Sequence, residues 1–281
     1  SFQIGVSADP AVVATSNPPH SIVVDSVAAA LGAWKTHVNA NAGAFGVIAI
    51  LDSATYSGAL TGVDRVEVPA GARLAVVAAG WPRFDTAGPG GPFRPRGGLT
   101  PSGLRPHIRG AVSICGTLAP DEILPDGSTR RRLLGELIFD GLLIEGDVRV
   151  LVGNLGRFEL RHSTVVPASG SVAVNGSVQP DLQNADLAVV LERSITGNVT
   201  LPQSVPELAI RNSVVNGSVV APGAHLEAQA ATIVGTTDAL HLDASDALFG
   251  LAVTIARRQN GCVRYSYLPP GSGTPRRFRC Q

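Results

Sequence analysis

Three acidic side chains that lie close together in the sequence have the chemistry for acid–base catalysis: Asp140, Glu145 and Asp147. Hydrolysis by a general acid and a general base needs two carboxylates about 5 to 9.5 Å apart, and adjacent strands can supply such a pair. The sequence contains no paired-aspartate motif and no G-x-S-x-G nucleophile elbow. It therefore assigns no catalytic residue, and these three carboxylates are its nearest candidates.

The candidates for ligand binding are arginines in the same part of the chain. The sequence has no CxxC pair or paired His/Cys spacing that would hold zinc. Residues 87–107 are rich in glycine and proline but lack the Lys-Ser/Thr pair of a phosphate-binding loop, so we expect an exposed excursion there, with a binding loop as the alternative. We predict no metal site and no cofactor, and the candidate binding residues are Arg149, Arg161, Arg193 and Arg211.

A polar residue recurs just after an apolar pair at Asp140, His162, Arg193 and Asn212. Stacked strands would bring these residues into one column, which allows two interpretations. They form a ligand site, or they are corner residues that adopt the left-handed backbone conformation, which Asn, Asp and His tolerate best. We favour the corner interpretation, which Arg193 fits least well.

These residues belong to a loose sequence repeat. Ser194, Ser213 and Thr232 are separated by nineteen residues each, and the phrase recurs earlier at Ser163 and Gly141. A period near 20 residues with short apolar alternations is typical of a stacked solenoid in which each repeat is one coil of a parallel β-helix. We predict regular coils over residues 110–256, with Ser163, Ser194, Ser213 and Thr232 in one column and residues 167–186 looped out of the stack.

The N-terminal part has a different pattern. Over Ser21 to Val38 the apolar residues Val27, Leu31 and Trp34 fall at helical spacing, behind Asp25 and Ser26 as possible N-caps. An open end of a solenoid exposes an apolar surface and unpaired strand edges, so it needs a cover. We therefore predict that this helix caps the stack.

After the helix come the strand-like segments GVIAILDSATYSGAL and RVEVPAGARLAVVAAGW. This order of a helix, a strand ending near an Asp and a Tyr, and a VPAG segment resembles the opening of pectin lyase-like right-handed β-helix proteins. The resemblance implies an all-β, right-handed parallel β-helix with an N-terminal capping helix and an irregular C-terminal tail. It implies one domain, 1–281, with the cap and first coils in 1–109, regular coils in 110–256, and a C-terminal cap or junction in 257–281.

The C-terminal segment replaces the repeat with aromatic residues, prolines and arginines. Cys262 and Cys280 bracket it, and two interpretations stay open: a disulfide, or two buried thiols. Another segment, Ala119 to Arg132, places three arginines after its acids and is expected to be solvated.

Composition limits the function classes. The 22 basic and 22 acidic side chains balance, so we expect no nucleic-acid partner. No apolar run reaches the roughly 18 residues of a membrane span. The chain has no methionine, which predicts that it is a piece of a longer protein, and Lys35 is its single lysine, which is typical of GC-rich bacterial genomes.

Three functions remain as hypotheses. The first is a noncatalytic structural or adhesive module of a bacterial surface or phage-tail-like assembly, with protein subunits or a polysaccharide as partners. Its expected location is extracellular or particle-associated. The second is a polysaccharide lyase or hydrolase, as the resemblance implies, and the third is a carbohydrate-binding module. Only 5% of residues are aromatic, so platforms for stacking sugar rings must be few.

Overall fold

The computed structural model describes residues 2–18, 21–84, 92–117, 122–123, 125–130 and 133–281. Most of the secondary structure is parallel β-strand, which confirms the all-β class. The helices are α1 (Pro10–Val13), α2 (Val27–Ala40) and two single 3-10 turns at Gly62–Asp64 and Pro180–Leu182.

The described strands form three parallel ladders. Ladder I contains, in pairing order, Ile22–Val24, Phe2–Val6, Phe45–Ile50, Arg73–Gly80, Gly135–Asp140, Leu155–Arg161, Ala188–Glu192, Glu207–Arg211, 225–229, 241–245, Gly261–Arg264 and Arg276–Phe278. Ladder II contains Val66–Pro69, Val112–Thr117, Val148–Val150, Val172–Val174, Val199–Thr200, 219–221, 237–239 and Val253–Ile255. Ladder III contains Thr55–Ser57, His107–Arg109, Leu143–Glu145, Thr164–Val165, Ile195–Thr196, Val214–Val215, Thr232–Ile233 and Leu248–Phe249.

Some strands depart from this simple scheme. Val219–Gln229 and Thr237–Ser245 are long enough to run through both ladder II and ladder I. Two short pairs are antiparallel: Thr100–Pro101 with residues 79–80, and Glu122–Ile123 with Thr129–Arg130.

The chain visits the ladders in a fixed order. It passes from ladder I to ladder III and then to ladder II before it returns to ladder I one strand further along. The three ladders therefore enclose one shared core, into which alternate residues of each strand point. Leu191, Ile210 and Leu226 are examples, and all three are fully buried. The parallel pairing predicted within residues 110–256 is confirmed for the ladder strands, and the one antiparallel pair among the described strands of this segment is Glu122–Ile123 with Thr129–Arg130.

Sharp corners separate ladder I from ladder III. His162, Arg193 and Asn212 have φ angles of 44°, 49° and 50°, which confirms the corner interpretation for these three residues. The same prediction is wrong for Asp140, which is the last residue of its strand and pairs with Arg161. Gly141, with a φ angle of 78°, lies at this corner instead. Glycine fits this position because it lacks the Cβ that disfavours the left-handed region.

A column of buried serines follows these corners. Ser194 N–H donates to Ser213 Oγ over 3.0 Å, and Ser163 N–H donates to Ser194 Oγ over 3.3 Å. The prediction that Thr232 lies in this column is wrong, since Thr232 pairs with Val214 rather than with a serine. The reason is that this repeat is one residue shorter, so that Ala231 follows the corner where the other repeats have serine.

Ser213→Ala is expected to lower the free energy of unfolding by about 1 to 3 kcal/mol, because it leaves the buried Ser194 N–H without an acceptor. The measurement is urea denaturation followed by circular dichroism. Ser169→Ala is the control, since Ser169 is exposed. Equal losses in the two variants would contradict the role of the serine column.

The predicted helix is confirmed, and it begins after one of its two predicted N-caps. Ile22–Val24 forms a strand, and α2 begins at Val27 with Ser26 as its N-cap. Its apolar face packs across the first strands of the sheet, and Trp34 is fully buried, with its indole N–H donating to the Glu67 carbonyl over 2.8 Å. Gly46 makes room for the ring, since a Cβ there would lie 2.3 Å from Trp34.

The loops and the C-terminal segment differ from expectation. Val172–Val174 lies in ladder II, so only the later part of 167–186 leaves the ladders. In the two predicted surface loops, residues 87–91 and much of 119–132 lie outside the described residues. The C-terminal segment is less irregular than predicted, because two of its strands continue ladder I. Its cysteines are free thiols, so the disulfide interpretation is wrong.

Candidate functional site

The outward face of ladder I carries a dense set of charges. Alternate residues of its central strands point away from the core and stack in columns at the spacing of adjacent strands. The charged members are Glu136, Asp140, Arg157, Glu159, Arg161, Glu192, Glu207, Arg211, Glu227 and Asp243. This face is the candidate functional site.

Glu159 is the most buried carboxylate of the face, with a residue exposure of 4%. Arg157 Nε lies 3.2 Å from one carboxylate oxygen and Arg161 Nε lies 2.8 Å from the other. Burial acts to raise the pKa of Glu159, but the hydrogen bonds from the two arginines outweigh it and lower the pKa. Glu159 is therefore held in its ionised form.

Glu227 forms a two-pronged ion pair with Arg211. The guanidinium Nε and Nη2 atoms donate to the two carboxylate oxygens over 2.9 and 2.6 Å. This contact lowers the pKa of Glu227 and raises that of Arg211. Planar bidentate pairs fix geometry as well as charge, so both side chains have one preferred arrangement.

Asp140, His162 and Arg193 form a chain of polar contacts at the edge of the face. Asp140 Oδ1 lies 2.9 Å from His162 Nδ1, and Arg193 Nη1 lies 3.3 Å from His162 Nε2. A guanidinium has donors only, so Nε2 must accept and Nδ1 must carry the proton that it donates to Asp140.

A cavity of about 530 Å³ opens beside this chain. Asp140 and His162 line one side, while the segment that contains Ser102 and Arg105 lines the other. Ser102 Oγ is buried and has no hydrogen-bond partner, so Ser102 contributes shape to the cavity wall and its hydroxyl is not exposed there. The remaining lining is mostly apolar: Val77, Ala78, Ala79, Leu99, Pro101 and Gly141.

The structure does not gather the three acidic candidates into one site. Glu145 lies in ladder III, where it contacts His107 over 3.2 Å. Asp147 accepts from the Ser171 hydroxyl over 2.7 Å and pairs with Arg149 over 3.0 Å. Within the described residues, Asp140 shares no hydrogen bond or ion pair with the other two.

The four candidate arginines divide in the same way. Arg161, Arg193 and Arg211 lie along the edge of ladder I that faces the corners, whereas Arg149 is an exposed residue of ladder II. Each already contacts a carboxylate of its own: Glu159, Glu192, Glu227 and Asp147, respectively.

Sequence reasoning missed two parts of this face. The alternation of Arg157, Glu159 and Arg161 was a usable signal, because every second residue of a strand points to the same side. Ser102 and Arg105 lie in the segment 87–107, for which a binding loop was the alternative interpretation, but no residue pattern singled these two out.

The carboxylates with lowered pKa values predict acid sensitivity. Burial acts to raise the pKa of Asp52, but bonds from Ala54 N–H, the Ser7 and Tyr56 hydroxyls and Ala8 N–H lower it. A depressed pKa adds stability that is complete above the unfolded-state value and is lost as the pH falls through the folded-state value. Together with Glu159 and Glu227, this side chain should make the free energy of unfolding fall steadily below about pH 4.

Urea denaturation at a series of pH values measures this dependence. Glu159→Gln should flatten the acid limb of the curve, because the variant no longer binds a proton at that site. A profile that matches the unsubstituted chain between pH 5 and pH 2 would contradict the assignment.

The described residues bear on two further features, metal binding and membrane insertion. No cluster of three or more His, Cys, Asp or Glu side chains in these ranges has an arrangement that would hold a metal ion. None of their helices combines the length and apolar character needed to cross a bilayer.

Comparison with known proteins gives no match. No protein-family model, no curated protein and no solved structure resembles this chain at a significant level.

Proposed function

We propose that the three ladders are the faces of a right-handed parallel β-helix, built as one domain and related to the pectin lyase-like superfamily. The fixed order of ladders I, III and II along the chain supports this proposal, as does the one-strand advance at each return. Right-handed connections between parallel strands are strongly preferred in general. The order of helix and strands in the first 81 residues supports the superfamily.

The proposed function is that of a noncatalytic structural or adhesive module in a larger bacterial surface or phage-tail-like assembly. The observation that carries it is the arginine pairing of two carboxylates on the face of ladder I, Glu159 and Glu227. A general acid in glycoside hydrolysis needs a raised pKa. Glu159 and Glu227 instead have arginine partners that lower their pKa values, which suits a rigid charged surface.

The test is an assay of the purified chain with pectins, alginates and glycosaminoglycans, with and without calcium. The expected result is no release of reducing ends or unsaturated products. Sustained turnover that Asp140→Asn abolishes would overturn the proposal in favour of a lyase or hydrolase. Turnover that persists in this variant would be traced with Glu145→Gln and Asp147→Asn.

Carbohydrate binding without turnover is a second candidate, and the cavity beside Asp140 favours it. The Arg105 guanidinium suits a sugar carboxylate, while the Asp140 carboxylate suits sugar hydroxyls. The apolar lining of the cavity suits the face of a sugar ring. Calorimetric titration with oligosaccharides should then show saturable binding that Arg105→Ala weakens at least tenfold.

The control for this titration is Arg276→Ala, which removes an exposed arginine of the last strand of ladder I. Equal binding by both variants would show that the cavity is not the site. An absence of binding to every oligosaccharide would leave the structural role as the proposal.

A further inference from the structure

The outward face of ladder III differs from that of ladder I because it is uncharged over most of its length. From Thr164–Val165 onward, one outward column contains only apolar residues, threonines and a tyrosine. Its members are Thr164, Ile195, Val214, Thr232, Leu248 and Tyr267, the last through a single bridge. We call this column the apolar strip.

The strip exposes large side chains that a monomeric protein usually buries. Ile195 is 43% exposed, Leu248 47% and Tyr267 46%, and Val234 lies beside the strip at 45%. Contiguous apolar surface of this kind marks an interaction site. Beyond Thr164 the column continues through Leu143 to His107, which lies beside the charged pair Glu145 and Arg109.

The charges beside the strip are self-complementary. In the column of corner residues, Arg193 precedes Ile195 and Asp246 precedes Leu248. A two-fold axis that lies in an interface and runs across the strip reverses the order of the strands and keeps each column opposite itself. Centred between Val214 and Thr232, this axis places Ile195 on Leu248 and Arg193 opposite Asp246 of a second copy.

The C-terminal end selects this antiparallel arrangement over a parallel one. Residues 257–281 contain six arginines, and no Asp or Glu follows Asp246. A parallel pair would bring two arginine-rich ends together, whereas the antiparallel pair separates them.

We propose that the chain forms an antiparallel homodimer through the apolar strip of ladder III. Six stacked residues at about 4.8 Å spacing give the strip a length of roughly 25 Å, and with the flanking columns it offers about 600 Å² per copy. A total near 1,200 Å² lies at the lower end of specific interfaces, so the dimer dissociates at moderate dilution.

The test is sedimentation equilibrium of the whole chain over a wide range of concentration, with a monomer–dimer equilibrium as the expected result. Ile195→Asp and Leu248→Asp should each raise the dissociation constant at least tenfold, because a carboxylate replaces a central apolar contact. The matched control is Val220→Asp, which alters an exposed valine of ladder II and should leave the constant unchanged.

A charge exchange tests the symmetry. Arg193→Asp and Asp246→Arg should each weaken the dimer, since each places like charges opposite one another. The double variant should restore the dimer, because it re-forms both pairs with their signs reversed.

Three outcomes would overturn the proposal. The first is a chain that remains monomeric at every concentration. The second is a dimer that Ile195→Asp and Leu248→Asp leave intact, or whose double charge variant is no stronger than the single ones. The third is a monomer whose binding to an oligosaccharide is lost in Ile195→Asp, which would assign the strip to a glycan.

Discussion

Replacing Leu31 and Trp34 together with aspartate is expected to unfold or aggregate the protein. Both side chains are buried in the core under α2, at 3% and 0% exposure. Each loss of a large buried apolar group costs about 3 to 5 kcal/mol, and burying a carboxylate adds to that cost. The summed loss is comparable to the whole free energy of unfolding of a typical domain, about 5 to 15 kcal/mol.

Thermal unfolding and size-exclusion chromatography measure this effect. The matched control is Ala29→Asp with Thr36→Asp, since both residues lie on the exposed face of the same helix. This control should remain folded with little change in melting temperature. If the Leu31 and Trp34 variant elutes at the same volume as the unsubstituted chain and has an unchanged melting temperature, α2 does not cap the first strands.

Phe158→Ala is expected to lower the free energy of unfolding by about 3 to 5 kcal/mol. Phe158 is fully buried in ladder I and meets Phe139 edge to face, with ring centroids 5.7 Å apart. The substitution removes this aromatic contact and opens a cavity in the middle of the stack. Urea denaturation should show a lower midpoint with an unchanged slope.

Phe45→Ala is the matched control, because Phe45 also lies in ladder I but is 49% exposed. Its expected cost is below about 1 kcal/mol. Similar costs for the two phenylalanines would contradict the inward orientation of Phe158 and therefore the register of this strand.

The sequence by itself determined the parallel architecture of the repeats. The nineteen-residue step from Ser194 to Ser213 is the step by which Ile195 pairs with Val214. This interval could be recognised in the sequence because parallel stacking places equivalent residues of successive repeats side by side. The helix at Leu31 and Trp34 was legible for a similar reason, since its apolar spacing matches the α-helical period.

Small irregularities of register were beyond the sequence pattern. Asp140 was aligned with His162, but the hydrogen-bonded register pairs it with Arg161. Thr232 was aligned with the serines, but its repeat is one residue shorter. A shift of one residue is hard to detect in so loose a repeat, yet it moves a side chain from the corner to the strand and turns it to the opposite face.

Only the tertiary structure decided which charges meet. Glu145 and Asp147 are close to Asp140 in sequence, but corners between the ladders direct them to other faces with other partners. Conversely, Arg105 and His162 are far apart in sequence and line one cavity. Side-chain proximity in this fold depends on how each turn of the chain stacks on the next, and sequence distance does not carry that information.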